Sequence, residues 1–222
     1  MESQFWRKRW TDNEIGWHQE KPNAHLVRYW PVVADGLVGT VLVPLCGKSL
    51  DMVWLAQCGY RVVGVELSEV AIESFFQENG MTPQWQEVEG CRFLSDGPYT
   101  IYCADIFHVT PGILGRVDFI YDRAAHIALP PDVRKLYGKH LGVLSSADTK
   151  ALLLTIEYEQ SRRDGPPFSV LQSEIENNFA DDFEIENLFE SEIIDERPKY
   201  RDWGLDSLIE RGCILKAKGK VS

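Results

Sequence analysis

The residues with the most evident chemistry stand at the ends of apolar runs. Residues 40–45 form one such run, and it leads into the turn Pro44-Leu45-Cys46-Gly47-Lys48-Ser49. Residues 60–66 form a second, which ends on the carboxylate of Glu66. A carboxylate in that place can accept one hydrogen bond on each oxygen, which suits the adjacent hydroxyls of a ribose. The alternative is an exposed charge at a strand end. The turn narrows the choice of ligand. Gly47-Lys48-Ser49 has the end of a phosphate-binding P-loop, but Leu42 occupies the place of that loop's first glycine. A dinucleotide site needs three glycines to bring a pyrophosphate against a helix N-terminus, and this turn has Gly47 alone. A nucleoside without a pyrophosphate is what these residues suit.

Asp105 follows a third run at 100–104. Its carboxylate or the neighbouring amides suit the amine and ring nitrogen of an adenine, and the competing reading is a helix N-cap or turn aspartate. Cys46 lies in the key turn, yet no histidine base adjoins it, so a buried small thiol is preferred to a nucleophile.

These residues need a scaffold that brings strand ends together. Strands are expected at 40–45, 60–66, 100–104, 117–121 and 151–158. Ser49 caps a helix on which Leu50, Val53 and Trp54 share a face and which Gly59 stops. Ser68 and Glu69 open the next helix, whose apolar residues include Ile72, Phe75 and Phe76, and Asn79-Gly80 closes it. A further helix spans 133–141. Runs at 183–188 and 213–217 alternate sides and read as a closing antiparallel pair, with a turn-rich segment at 197–204 between them. The alternation predicts an α/β fold, doubly wound around a mainly parallel sheet. No internal repeat is present, so one domain is expected over 1–222, with 1–35 as a cap segment and 36–222 as the sheet core. Trp6, Trp10, Trp17 and Trp30, four of the seven tryptophans, crowd into that cap, as a lid over something flat and apolar would require.

Several of these pieces occur together and in one order over nearly the whole chain. They are Trp10 with Trp17-His18-Gln19, Val43-Pro44-Leu45-Cys46-Gly47-Lys48-Ser49, Gly64-Val65-Glu66-Leu67-Ser68, Tyr121-Asp122-Arg123-Ala124-Ala125 and Gly165-Pro166-Pro167-Phe168. The set resembles the thiopurine S-methyltransferases. Most methyltransferases carry several glycines where this chain has Pro-Leu-Cys-Gly-Lys, which makes the combination specific. The resemblance implies a seven-stranded methyltransferase fold and S-adenosylmethionine as methyl donor. It implies cofactor contacts at Trp10, Leu45, Glu66 and Arg123, and also at Asp105 and Ile106. Aromatic and heteroaromatic thiols, thiopurines among them, are the implied acceptors, and bacterial members extend this to selenium and tellurium species.

Trp10 and Trp17 are either core aromatics of an N-terminal helix or contacts to cofactor and substrate respectively. An aromatic face attracts a cationic sulfonium by about 0.5–2 kcal/mol. Arg123 either pairs with its neighbour Asp122 and the next helix, or its planar fork holds the methionine carboxylate or an anionic substrate, which lysine could not reproduce. Gly165-Pro166-Pro167-Phe168 is either a stiff connection or a lid that turns Phe168 to the substrate, the reading preferred here. His126 departs from the apolar residue of relatives and is placed on a helix surface rather than in the pocket wall. Methyl transfer from a sulfonium to a thiolate cancels two charges, so alignment and exclusion of water suffice, and no catalytic acid or base is named. Two rivals are a small-molecule O- or N-methyltransferase and a cofactor-binding protein with a regulatory or scaffolding role. The N-P-P-Y and D-P-P-Y motifs of base-amino methyltransferases are absent.

Composition bounds the partners. A net charge of −11 with scattered basic residues repels phosphate backbones, so nucleic acid is disfavoured. No apolar run approaches the roughly 18–20 residues that cross a bilayer, and residues 1–10 lack the apolar core of a secretory signal. Five cysteines without a C-x-x-C pair and five histidines without ligand spacing suggest neither disulfides nor a metal. A cytoplasmic monomer acting on a small molecule is expected.

Overall fold

The central strands are mostly apolar and buried because helices cover the sheet on both faces. The computed structural model describes residues 3–219; residues 1–2 and 220–222 of the domain expected over 1–222 lie outside the described residues. In chain order the elements are α1 (Ser3–Thr11), α2 (Ala24–Ala34), β1 (Thr40–Pro44), α3 (Leu50–Gln57), β2 (Arg61–Glu66) and α4 (Glu69–Glu78). Then come β3 (Gln86–Val88), β4 (Cys91–Asp96), β5 (Tyr99–Cys103), α5 (Pro111–Leu114), β6 (Phe119–Arg123) and α6 (Pro131–Leu144). The chain ends with β7 (Lys150–Glu157), α7 (Gln172–Phe179), β8 (Phe183–Glu192), α8 (Pro198–Asp202) and β9 (Ile209–Ala217).

Among the described residues the strands form one sheet in the order β3-β4-β5-β2-β1-β6-β7-β9-β8. The strands β5, β2, β1, β6 and β7 run parallel, and β9 returns antiparallel between β7 and β8. With β9 and β8 they make the expected seven-stranded core. The hairpin of β3 and β4 extends it at one edge. This hairpin was not foreseen, because Gln86–Val88 is exposed and has no apolar alternation to betray a strand.

The two-residue period of the strands sorts their side chains. Val41 and Val43 pack with Leu26, Trp30 and Val33 of α2, Met52 and Leu55 of α3, and Phe75 and Phe76 of α4. Leu42, Ile120 and Leu153 pack on the other face with Tyr137 and Leu141 of α6 and Ile175 and Phe179 of α7. Trp30 is therefore a core residue, and residues 24–34 of the segment read as a cap are a sheet-covering helix.

The caps form as expected. Ser49 Oγ accepts from the Asp51 amide at 3.2 Å and Ser68 Oγ from the Ala71 amide at 3.3 Å. The strand expected at 117–121 begins two residues later, at Phe119, because the chain leaves α5 through Gly115 at φ +71° and the carbonyl of Val117 is taken by Thr149 Oγ1 at 2.7 Å. That shift puts Asp122 and Arg123 inside the strand. No helix among the described residues is long and apolar enough to cross a membrane.

Candidate active site

The strand order reverses between β1 and β6, and a cavity of about 770 Å³ opens at the carboxyl ends of the parallel strands, the place where doubly wound folds bind ligands. It has the size of a site for a small organic molecule. Leu45, Glu66, Asp105, Ile106 and Arg123 reach it from the ends of different strands, and Trp10 and Trp17 from the cap.

The turn after β1 is held in an unusual backbone shape. Leu45 has φ +49° and Gly47 φ +52°, and a left-handed residue with a side chain costs on the order of 1 kcal/mol. Ala124, at the end of β6, also lies in this region at φ +66°. Gly47 is required twice over, because a Cβ there would lie 2.7 Å from Cζ2 of Trp10. The missing side chain lets the indole close directly onto the turn. Cys46 is the buried small thiol expected: its Sγ would lie only 2.7 Å from a Cβ on Gly64. Burial, and then the charge of Glu66, push its thiol well above the ordinary range.

Glu66 is 7 % exposed, so it is not a free surface charge. The amides of Gly47 and Ser68 donate to its two oxygens, each at 2.9 Å. Burial raises its carboxyl above the usual value against the pull of those amides. A carboxylate has about four acceptor positions, and two are used, so the group can still serve two hydroxyls. Beside it Asp105 is the N-cap of a short 3-10 turn (Ile106–His108), accepting from the Phe107 amide at 3.0 Å. It is thus both a cap and a part of the cavity wall.

Arg123 does form an ion pair, but not with Asp122. Residues 121 and 123 point to one face of β6 and 122 to the other. Arg123 Nε donates to Asp51 Oδ2 at 2.8 Å, and the Tyr121 hydroxyl donates to the same oxygen at 3.0 Å. The Asn23 amide donates to the other oxygen at 2.7 Å. Asp51, 1 % exposed, therefore joins α3, β6 and the loop before α2, and sequence reasoning missed it. An aspartate in the first turn of a helix ordinarily reads as a partner of the helix dipole, which hides a longer-range role.

Asp122 instead accepts from the Tyr137 hydroxyl at 2.7 Å and the His126 amide at 3.1 Å. Burial lifts its carboxyl to about 6. His126 corrects the expectation of a helix surface: it is fully buried, with its Nε2 3.2 Å from Asn178 Nδ2 and its ring against Phe179. Burial, and then Arg134, drive its pKa down to about 3.

The cap is aromatic, as expected, but smaller. Trp17 meets Trp6 and Trp10 edge to face at centroid distances of 5.3 and 5.9 Å. Phe168 is a correction, because it does not line the cavity. Its ring folds back over Gly165 and under the Arg134 guanidinium, 5.6 Å away, while its amide donates to the Ile127 carbonyl at 2.7 Å. Pro166 and Pro167 face the cavity in its place.

The thiopurine S-methyltransferase family model matches residues 1–218. The chain belongs to this family. It is 39% identical to a thiopurine S-methyltransferase of Pseudomonas fluorescens over 219 residues, 99% of each chain. To one of Pseudomonas putida strain GB-1 it is 43% identical over 216 residues, covering 97% of this chain and 100% of the relative. Among solved structures, an S-adenosylmethionine-dependent methyltransferase from Anabaena variabilis superposes with a TM-score of 0.65 at 17% identity, covering 97% of this chain and 95% of the other. Membership makes the chain a methyltransferase whose donor is S-adenosylmethionine. The side chains fit that donor: a buried carboxylate with free acceptor positions, one glycine where a pyrophosphate site needs three, and an indole closed over the turn.

Residues 12–23 of this thiopurine S-methyltransferase family member contain no regular helix or strand beyond the end of α1, and the indoles hold much of the cap in place. A segment without helix or ladder hydrogen bonds opens at low cost. Backbone amides of residues 3–23 are expected to exchange hydrogen more slowly once S-adenosylhomocysteine is bound, as read by mass spectrometry. Equal exchange with and without the ligand would rule out a cap that orders on binding.

Proposed function

We propose that the methyl acceptor is the sulfur of an aromatic or heterocyclic thiol, thiopurines included, and that selenium and tellurium nucleophiles share the site. The observation that carries this is the flat and apolar part of the cavity lining, to which Trp17, Ile127, Pro166 and Pro167 contribute. When bound, S-adenosylmethionine supplies an electrophilic methyl group on a cationic sulfur, and a soft anionic acceptor gains most from a site that excludes water. Glu66 accepts from the ribose hydroxyls, and Asp105 and Ile106 lie beside the adenine. Arg123, anchored on Asp51, holds the amino-acid carboxylate, while Trp10 and Leu45 close the turn side. The acceptor contact assigned to Phe168 passes to Pro166 and Pro167. A net charge of −11 does not concentrate polyanions, which supports a small acceptor over nucleic acid.

The experiment compares thiophenols or mercaptopurines with matched phenols and anilines. After uncatalysed rates are subtracted, the thiols are expected to be methylated at least about tenfold more efficiently, a difference of about 1.4 kcal/mol in barrier. Phenols that keep pace with thiols after that correction would end the thiol reading.

A further inference from the structure

A further carboxylate stands in the cavity wall, on β9. Glu210 lines the same cavity as Glu66 and Arg123, and its side chain is 12 % exposed. The strand register sets Arg123 of β6 beside Leu154 of β7, and Leu154 beside Gly212 of β9. Glu210 is two residues from Gly212, so it projects from the same face of the sheet as Arg123.

His25 holds this carboxylate, with Nε2 2.9 Å from Oε2, and the imidazole is itself fixed. Its ring stacks on Phe189 at a centroid distance of 4.2 Å, with planes 14° apart. Tyr29, one turn along α2, lies on the same phenyl ring at 4.8 Å. Phe189 comes from the irregularity in the β8–β9 ladder, where the register shifts between Asn187 and Phe189. Its ring fills the space that a side chain on Gly212 would take. A bulge, a glycine and stacked rings thus orient one imidazole on one carboxylate of the cavity. Bulges of this kind re-aim side chains next to active sites. A hydrogen bond serving only to tie α2 to the sheet would need none of this.

A thiol that carries its proton, or a thione that carries it on a ring nitrogen, becomes a good nucleophile only as that proton leaves. Once donor and acceptor fill the cavity, a side chain of its wall is better placed than bulk water to take it. We infer that Glu210, oriented by His25, accepts this proton. The S–H or N–H bond breaks and the proton passes to the carboxylate. The pair of that S–H or N–H bond stays with the acceptor, whose sulfur forms the new bond to the methyl carbon as the bond between that carbon and the donor sulfur breaks, and the pair of this second bond neutralises the donor's positive charge. The inference rests on the thiol reading above.

The test uses the full chain, Glu210→Gln, and two aryl thiols of similar shape. One carries electron-withdrawing groups and is ionised at the assay pH; the other is protonated. Loss of a general base costs on the order of a hundredfold, so kcat/KM for the protonated thiol is expected to fall by about that factor more than for the ionised one. His25→Gln keeps the carboxylate but not its imidazole, and a smaller loss with the same selectivity is expected. It carries the test should Glu210→Gln not fold, which melting and S-adenosylhomocysteine titration report. Equal losses on both thiols would overturn the inference, since a purely structural pair does not sense the acceptor's proton. A wild-type enzyme inactive on both thiols would overturn the thiol reading, and this one with it.

Discussion

Replacing Glu66 with alanine is expected to weaken binding of S-adenosylhomocysteine by at least about 3 kcal/mol, because two ribose hydroxyls lose a charged acceptor and each such bond is worth about 1.5–3 kcal/mol. Calorimetric titration measures it directly. The same carboxylate also holds the amides of Gly47 and Ser68, so the variant loosens the turn after β1 as well. Glu66→Gln grades the two effects. Its amide oxygen retains an acceptor for one of the two backbone amides, while the second position becomes a donor facing the donors it should serve. An intermediate loss of affinity is expected for Gln, with an unliganded melting temperature between those of wild type and the Ala variant. An unchanged binding constant in a folded Ala variant would remove Glu66 from the cofactor site.

The second large effect concerns acid stability. His126 has a folded-state pKa of about 3 against an ordinary value of 6.5. The unfolded chain therefore binds a proton below 6.5 that the folded chain refuses. The stability tied to the neutral ring is fully present above pH 6.5 and is lost as pH falls towards 3. Each pH unit in that window costs about 1.4 kcal/mol. Asp122 works in the opposite direction, since a carboxyl raised to about 6 makes the folded state take up a proton between 3.8 and 6. A single pH curve would blur the two contributions; comparing wild type with His126→Gln cancels the part due to Asp122. In urea unfolding the variant is expected to gain about 2 kcal/mol on wild type between pH 6.5 and pH 5. A difference between the two proteins that does not change with pH would show that the folded ring takes up its proton as readily as the unfolded one.

Much of this site could be read from the chain because its parts are local to the βα units that carry them. An apolar run, a turn and a capped helix place Leu45 at the end of β1, and the next run ends on Glu66 by its own length. Backbone period and turn chemistry settle such positions within a few residues, so the strand ends, the two serine caps and the single-glycine turn were legible. The resemblance added the donor and the acceptor class, which no periodicity contains.

What the sequence by itself determined, then, is the order of elements, the two apolar faces of each central strand and the identity of the residues at their ends. Only the tertiary structure decided which partner each of them meets. Arg123 pairs with Asp51, 72 residues away, and not with the adjacent Asp122, because alternation sends neighbours to opposite faces and the packing of α3 decides what waits there. Trp30 enters the core while Trp10 and Trp17 line the cavity, although all three are tryptophans of one short segment. Phe168 turns under Arg134, and His126 is sealed against Phe179. His25 finds Glu210 across 185 residues. In each case the local chain permits several side-chain directions of similar energy, and close packing against distant elements selects one of them.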